Sequence, residues 1–139
     1  MNSKTDKLID EINQLLSCYK VATQEFPNDD ISMFQHAVEC KRASDYEQSI
    51  KIYISLIKKQ KAIYTFLLNG LFKSVACAGH VSFAYKLCLI GDQAMRNNGY
   101  LWNNFYDHIE KINYAIETDT IYEYLRSISG GGIINGKII

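Results

Sequence analysis

Apolar residues recur along most of this chain at the three- and four-residue steps that draw a stripe down one side of a helix. Leu8, Ile9, Ile12, Leu15, Leu16 and Tyr19 trace the first stripe, with Thr5 or Asp6 placed to cap it, and predict a helix over 5–22. The segment Gln24 to Asp30 breaks the pattern, because Pro27 disfavours helix in the residue before it and the Asp pair suits a helix start. Ile31, Phe34, Ala37, Val38 and Ala43 then define a second helix over 31–43, and Tyr46, Ile50, Tyr53, Ile54 and Ile57 a third. Only Ser44 and Asp45 separate them, which reads as the turn of a helical hairpin with either residue as the N-cap.

Beyond the charged boundary Lys58-Lys59-Gln60-Lys61, the run from Ile63 to Ala78 is apolar on more than one face and is expected to be the most buried helix. Leu67, Leu71 and Val75 should be buried there with Tyr53 and Ile57, while small Gly70, Ser74, Ala76 and Ala78 suit packing on both sides. Gly79-His80 ends this helix. Val81, Ala84, Tyr85, Cys88, Gly91 and Met95 carry the next, up to Asn97-Asn98-Gly99. A third pair is expected near 101–116 and 119–128. With a single proline and eight glycines in the chain, six or seven antiparallel helices follow, with no sheet except a hairpin in the tail. The tail, 130–139, opens on three glycines that oppose helix; Asn135-Gly136 is a hairpin-turn signal between very short apolar pairs, so both a frayed tail and a docked strand are compatible with it.

The central turn resembles that of a tetratricopeptide repeat. Ala37 stands at the small position of the first helix, Ser44-Asp45-Tyr46-Glu47-Gln48-Ser49-Ile50 at the turn, and Tyr53 at the aromatic position three residues on. Gly79 lies 35 positions after Ser44, close to the family's period of roughly 34 residues, and brings Ala84 and Gly91 to the two small positions of the following helix. The departures are Ser44 for the turn glycine, Ser49 for a small alanine, Leu56 where another alanine is usual and Lys61 where a closing proline is common. The resemblance covers residues 31–96. It implies an all-α fold of stacked antiparallel hairpins in a right-handed superhelix, one domain over 1–129, and a non-enzymatic scaffold that binds a protein or peptide on its concave face. It also implies contact positions: Phe34, Val38, Lys41 and Arg42 in one hairpin, and Asn69, Lys73, Ala76 and Cys77 in the next. Arg42, Asn69 and Lys73, converging in one groove, would suit a C-terminal carboxylate or an acidic side chain, with Phe34 and Val38 adding apolar contact.

Charge changes this picture little. Fifteen basic residues balance fifteen acidic ones, so no general attraction for nucleic acid or an anionic membrane is expected. The distribution is uneven, with six cations between Lys41 and Lys61 and an acidic C-terminal third. Nucleic-acid binding through that basic region is the alternative function and ranks well below peptide binding, since the acidic end would repel the same ligand. No secretory signal, membrane-spanning run or phosphate-loop motif is visible. Cys18, Cys40, Cys77 and Cys88 lack short paired spacing, as do His36, His80 and His108, so no metal, cofactor or nucleophilic centre is expected. Unpaired thiols suit a reducing cytoplasm. The heavy tyrosine content suits seams between repeats, with Trp102 the natural anchor of any interface; self-association is left open.

Overall fold

A computed structural model describes residues 3–100, 104–129, 133–134 and 137–138. Trp102, Gly130 to Gly132 and the Asn135-Gly136 turn lie outside the described residues. The protein is mainly helical: α1 (Ser3–Cys18), α2 (Ile31–Arg42), α3 (Tyr46–Gln60), α4 (Thr65–Cys77), α5 (Val81–Asn97), α6 (Asn104–Glu117) and α7 (Ile121–Ser129). Helices adjacent in sequence pack together from α2 onward, and α1 lies against α3. The tail carries β3 (Ile133–Ile134) antiparallel to β4 (Lys137–Ile138), and β3 lies against α7.

Three helical hairpins turn in the same way. At the first, Ser44 adopts a left-handed φ of 66°, Asp45 N–H donates to the Cys40 carbonyl and Ser44 N–H to that of Lys41. Gly79, at φ 103°, repeats the pattern, with His80 donating to Val75 and Gly79 to Ala76. Asp119, at φ 56°, repeats it again, with Thr120 donating to Ala115 and Asp119 to Ile116. Each pair of bonds satisfies carbonyls that a helix end leaves free. The N-cap of α3 is Asp45, whose carboxylate accepts from Gln48 N–H at 3.2 Å.

The expectation of a sheet-free body is corrected by a parallel pair, β1 (Val21–Ala22) with β2 (Ile63–Tyr64), in the register Val21 to Ile63 and Ala22 to Tyr64. Both pieces fall where a helix is expected: α1 stops at Cys18 and α4 starts only at Thr65. Val21, Ile63 and Tyr64 are good strand formers, and the Lys20 carbonyl accepts from Ile63 N–H at 2.9 Å. The pair joins the linker after α1 to the linker before α4. Thr5 and Asp6 are likewise not caps, because α1 begins before them. Thr5 is buried and its Oγ1 lies 2.9 Å from His80 Nε2, with Asp6 3.7 Å from the same nitrogen, so α1 is fastened to the α4–α5 turn. Asp30 does not cap α2 through its side chain either. Its buried carboxylate instead takes Lys59 and Gln60 from the end of α3, closing the open end of the α2–α3 hairpin.

Helix α4 sits at the centre, touching α2, α3, α5 and α7. Leu67, Leu68, Leu71, Phe72 and Val75 are all sealed from solvent, together with Tyr53 and Ile57 of α3. A buried hydroxyl bridge crosses the same seam: Ser49 Oγ donates to the Ala37 carbonyl at 2.8 Å and lies 2.8 Å from Ser74 Oγ. Ser49 is thereby given the partners that a buried hydroxyl requires. α7 meets α4 as well as α6, so the third hairpin bends back onto the second.

Candidate functional site

Phe34, Val38, Lys41 and Arg42 stand on successive turns of α2, so their spacing alone puts them on one side of that helix. Asn69 and Lys73 stand one turn apart on α4, with Phe66 a turn before them. The structure brings six of the eight expected contact residues around one cavity of about 180 Å³, together with Tyr53, Phe66 and Gly70. Ala76 and Cys77, the other two expected positions, are not there. Both are completely buried, on the part of α4 that is enclosed by its neighbours rather than open to the cavity.

The wall of the cavity is aromatic. Phe34 and Phe66 rings lie 4.4 Å apart between centroids, Phe34 meets Tyr53 edge-on at 5.9 Å, and Phe26 stacks on Phe66 at 5.6 Å. Tyr53 crosses α4 at Gly70, where a Cβ would stand only 2.3 Å from the phenol oxygen. Sequence reading omitted Tyr53, Phe66 and Gly70 from the site. The helical step back from Asn69 and Lys73 was the signal for Phe66.

Three of the other lining residues, Lys41, Arg42 and Lys73, are cationic. Lys41 is buried and its ammonium donates to the Ile128 carbonyl at 2.6 Å, which caps the end of α7. Arg42 is exposed and pairs with Glu39 at 3.3 Å. Lys73 is half-buried and has no hydrogen bond or ion pair among the described residues. Burial depresses the pKa of both lysines; the charges of Lys73 and Arg42 push Lys41 further down, whereas Cys77 and Cys88 partly offset the shift of Lys73. No carboxylate is among the lining residues. Asn69 Oδ1 is buried and has no hydrogen-bond donor among the described residues, an acceptor that costs on the order of 1–3 kcal/mol while it stays unmatched. A second cavity of about 300 Å³ shares Phe66 and Asn69 with the first and runs toward Gln24, Glu25 and Asn104.

His108 has its ring 4.7 Å from that of Phe72 and its Nδ1 3.1 Å from the Tyr124 hydroxyl. Burial, with the charges of Lys73 and Lys111 added and Asp107 opposing, pulls its pKa down from 6.5 to about 4. The unfolded chain therefore binds the extra proton between these values, so stability falls as pH drops through that window. Acidification from pH 7 to pH 5 is expected to cost on the order of 2 kcal/mol through this group. Urea titrations of the protein and of His108→Gln at both pH values check it: the drop between them should be smaller in the variant, and an equal drop would assign it to other groups.

The thiols of Cys77 and Cys88 are buried, and burial drives their pKa values up to about 11 and about 12. They are protonated and unreactive near neutral pH. Among the described residues no group of three His, Cys, Asp or Glu side chains is placed to hold a metal ion, and no helix is long and apolar enough to cross a membrane. No family model matches the chain, and no curated protein or solved structure shows significant similarity to it.

Proposed function

We propose that the protein is a non-enzymatic scaffold that binds a peptide or protein segment in the groove between α2 and α4, in the manner of a tetratricopeptide-like stack of hairpins. The observation that carries this reading is the cavity itself, in which an aromatic wall of Phe34, Tyr53 and Phe66 stands beside Lys41, Arg42 and Lys73 with no lining carboxylate. A half-buried ammonium without a counter-ion is a costly group that an anionic ligand would satisfy. The unmatched Asn69 Oδ1 adds an acceptor for a ligand N–H. The ligand class that fits is a segment with an apolar side chain next to a carboxylate, either a chain terminus or an acidic residue.

Nucleic-acid binding by the 41–61 region is a poorer fit. Lys51 pairs with Glu47, Lys58 with Glu11, Lys59 with Asp30 and Arg42 with Glu39, and Lys41 is turned into the protein, so these cations form no free phosphate-tracking face. Partner capture followed by calorimetry tests the reading. For a captured acidic or free-carboxylate segment, Arg42→Ala with Lys73→Ala is expected to weaken binding by about tenfold or more, given about 1.5–3 kcal/mol for each charged hydrogen bond. The melting temperature should hold or rise slightly, since Lys73 has no partner to lose. Unchanged affinity in the double variant would remove the groove from consideration.

A further inference from the structure

An open cleft larger than these two cavities lies between α6 and α7, with a volume of about 480 Å³. From α6 it takes Glu110, Lys111, Tyr114 and Ala115, which fall on one side at steps of three and four. From the turn it takes Thr120, and from α7 Glu123 and Tyr124. Buried Ala115 keeps the floor low, Tyr124 forms an inner wall, and Tyr114 stands at the rim with 66% of its surface accessible, the most exposed of the large apolar side chains among the described residues.

Two carboxylates, Glu110 and Glu123, face this cleft from opposite helices against one ammonium, Lys111. Around them, α6, α7 and the turn between carry Asp107, Glu117 and Asp119 as well, against only Arg126. None of these five acids forms a salt bridge among the described residues, in contrast to Glu11, Asp30, Glu39, Glu47 and Asp92, each of which is paired with a cation. The charge of the cleft is thus left uncompensated beside aromatic surface.

We propose that the α6–α7 cleft is a second binding site that takes an arginine side chain of a basic partner segment. The guanidinium is a flat fork of donors suited to carboxylates, it stacks on tyrosine faces, and it is less strongly hydrated than an ammonium. The same pairing already occurs inside this protein, where the Arg96 guanidinium lies 5.3 Å from the centroid of the Tyr106 ring. A second copy of the chain is a poorer occupant, because Lys58 and Lys59 in its basic segment are engaged with Glu11 and Asp30. This inference stands apart from the α2–α4 groove, which selects the opposite charge.

The test is a titration of the ¹⁵N-labelled protein with a five-residue peptide carrying two arginines around a leucine, acetylated and amidated so that it offers the cationic groove no carboxylate. Saturable amide shifts are expected at Glu110, Tyr114, Thr120 and Glu123. The same peptide with citrulline for arginine should bind about tenfold or more weakly, as should the peptide to Glu110→Gln with Glu123→Gln. Tyr114→Ser should weaken binding without changing the circular dichroism spectrum, since its ring is exposed. No saturable shift, shifts confined to other elements, equal binding of the citrulline peptide or unchanged binding to the double variant would each overturn the proposal. Self-association in sedimentation that the double variant abolishes would overturn it too, by giving the cleft to a second copy.

Discussion

Leu71→Ala is expected to lower the unfolding free energy by roughly 2–5 kcal/mol. The size of the effect follows from the place of α4, which meets α2, α3, α5 and α7, so a void opened on it has neighbours on several sides. Leu71 is 1% exposed, and Leu67, Leu68, Phe72 and Val75 around it on the same helix have no more. A site walled by rigid packing cannot collapse easily onto the missing atoms, and the lost dispersion contacts add to the lost transfer energy. Urea denaturation followed by circular dichroism at 222 nm measures it. A shift in midpoint too small to resolve would mean that α4 is less enclosed than its burial indicates.

The same helix marks how far sequence alone reaches. Periodicity located its buried residues because a helix packed on several sides carries apolar positions beyond one stripe. Periodicity also failed at its start: Ile63 and Tyr64 continue the apolar run, and a short apolar run does not by itself distinguish strand from helix. The deciding contact is Lys20 to Ile63, from a segment more than forty positions away. At the third hairpin the obstacle was a residue type. Asp119 holds the left-handed position that Gly79 holds, and an aspartate there gives no glycine signal, although short polar side chains tolerate that conformation. The cavity-lining residues of α2 were legible as one face, and counting from the two turns placed Asn69 and Lys73 on the same cavity. Ala76 and Cys77 followed from the same count and were misplaced, because the enclosure of that end of α4 is a tertiary fact with no trace in local spacing. The fold-back of α7 onto α4, fixed in part by Lys41 and the Ile128 carbonyl, is of the same kind.

Gly91→Ala is the second large effect, and it separates close approach from helix propensity. On propensity alone the change should stabilise α5 by up to about 1 kcal/mol, since alanine is the better helix former. Space decides otherwise. A Cβ at position 91 would stand 2.7 Å from Cε1 and Cζ of Phe105 and 2.8 Å from Cδ1, well inside any contact that real Cβ atoms make. Phe105 is 3% exposed and its ring also lies 6.4 Å from that of Phe72, so it has little room to swing aside. The α5–α6 seam must therefore open, and overpacking of this kind costs typically about 1–3 kcal/mol. Phe105→Leu alone should also destabilise, through the smaller side chain left in a buried site. Combined with Gly91→Ala it should cost less than the sum of the two, because the leucine vacates the volume that the new methyl needs. A double-mutant cycle in urea that gives strict additivity would show that the glycine is not there for the phenylalanine. A Gly91→Ala protein more stable than the parent would show that the two helices can part at no cost, and the close approach at this seam would then have no energetic meaning.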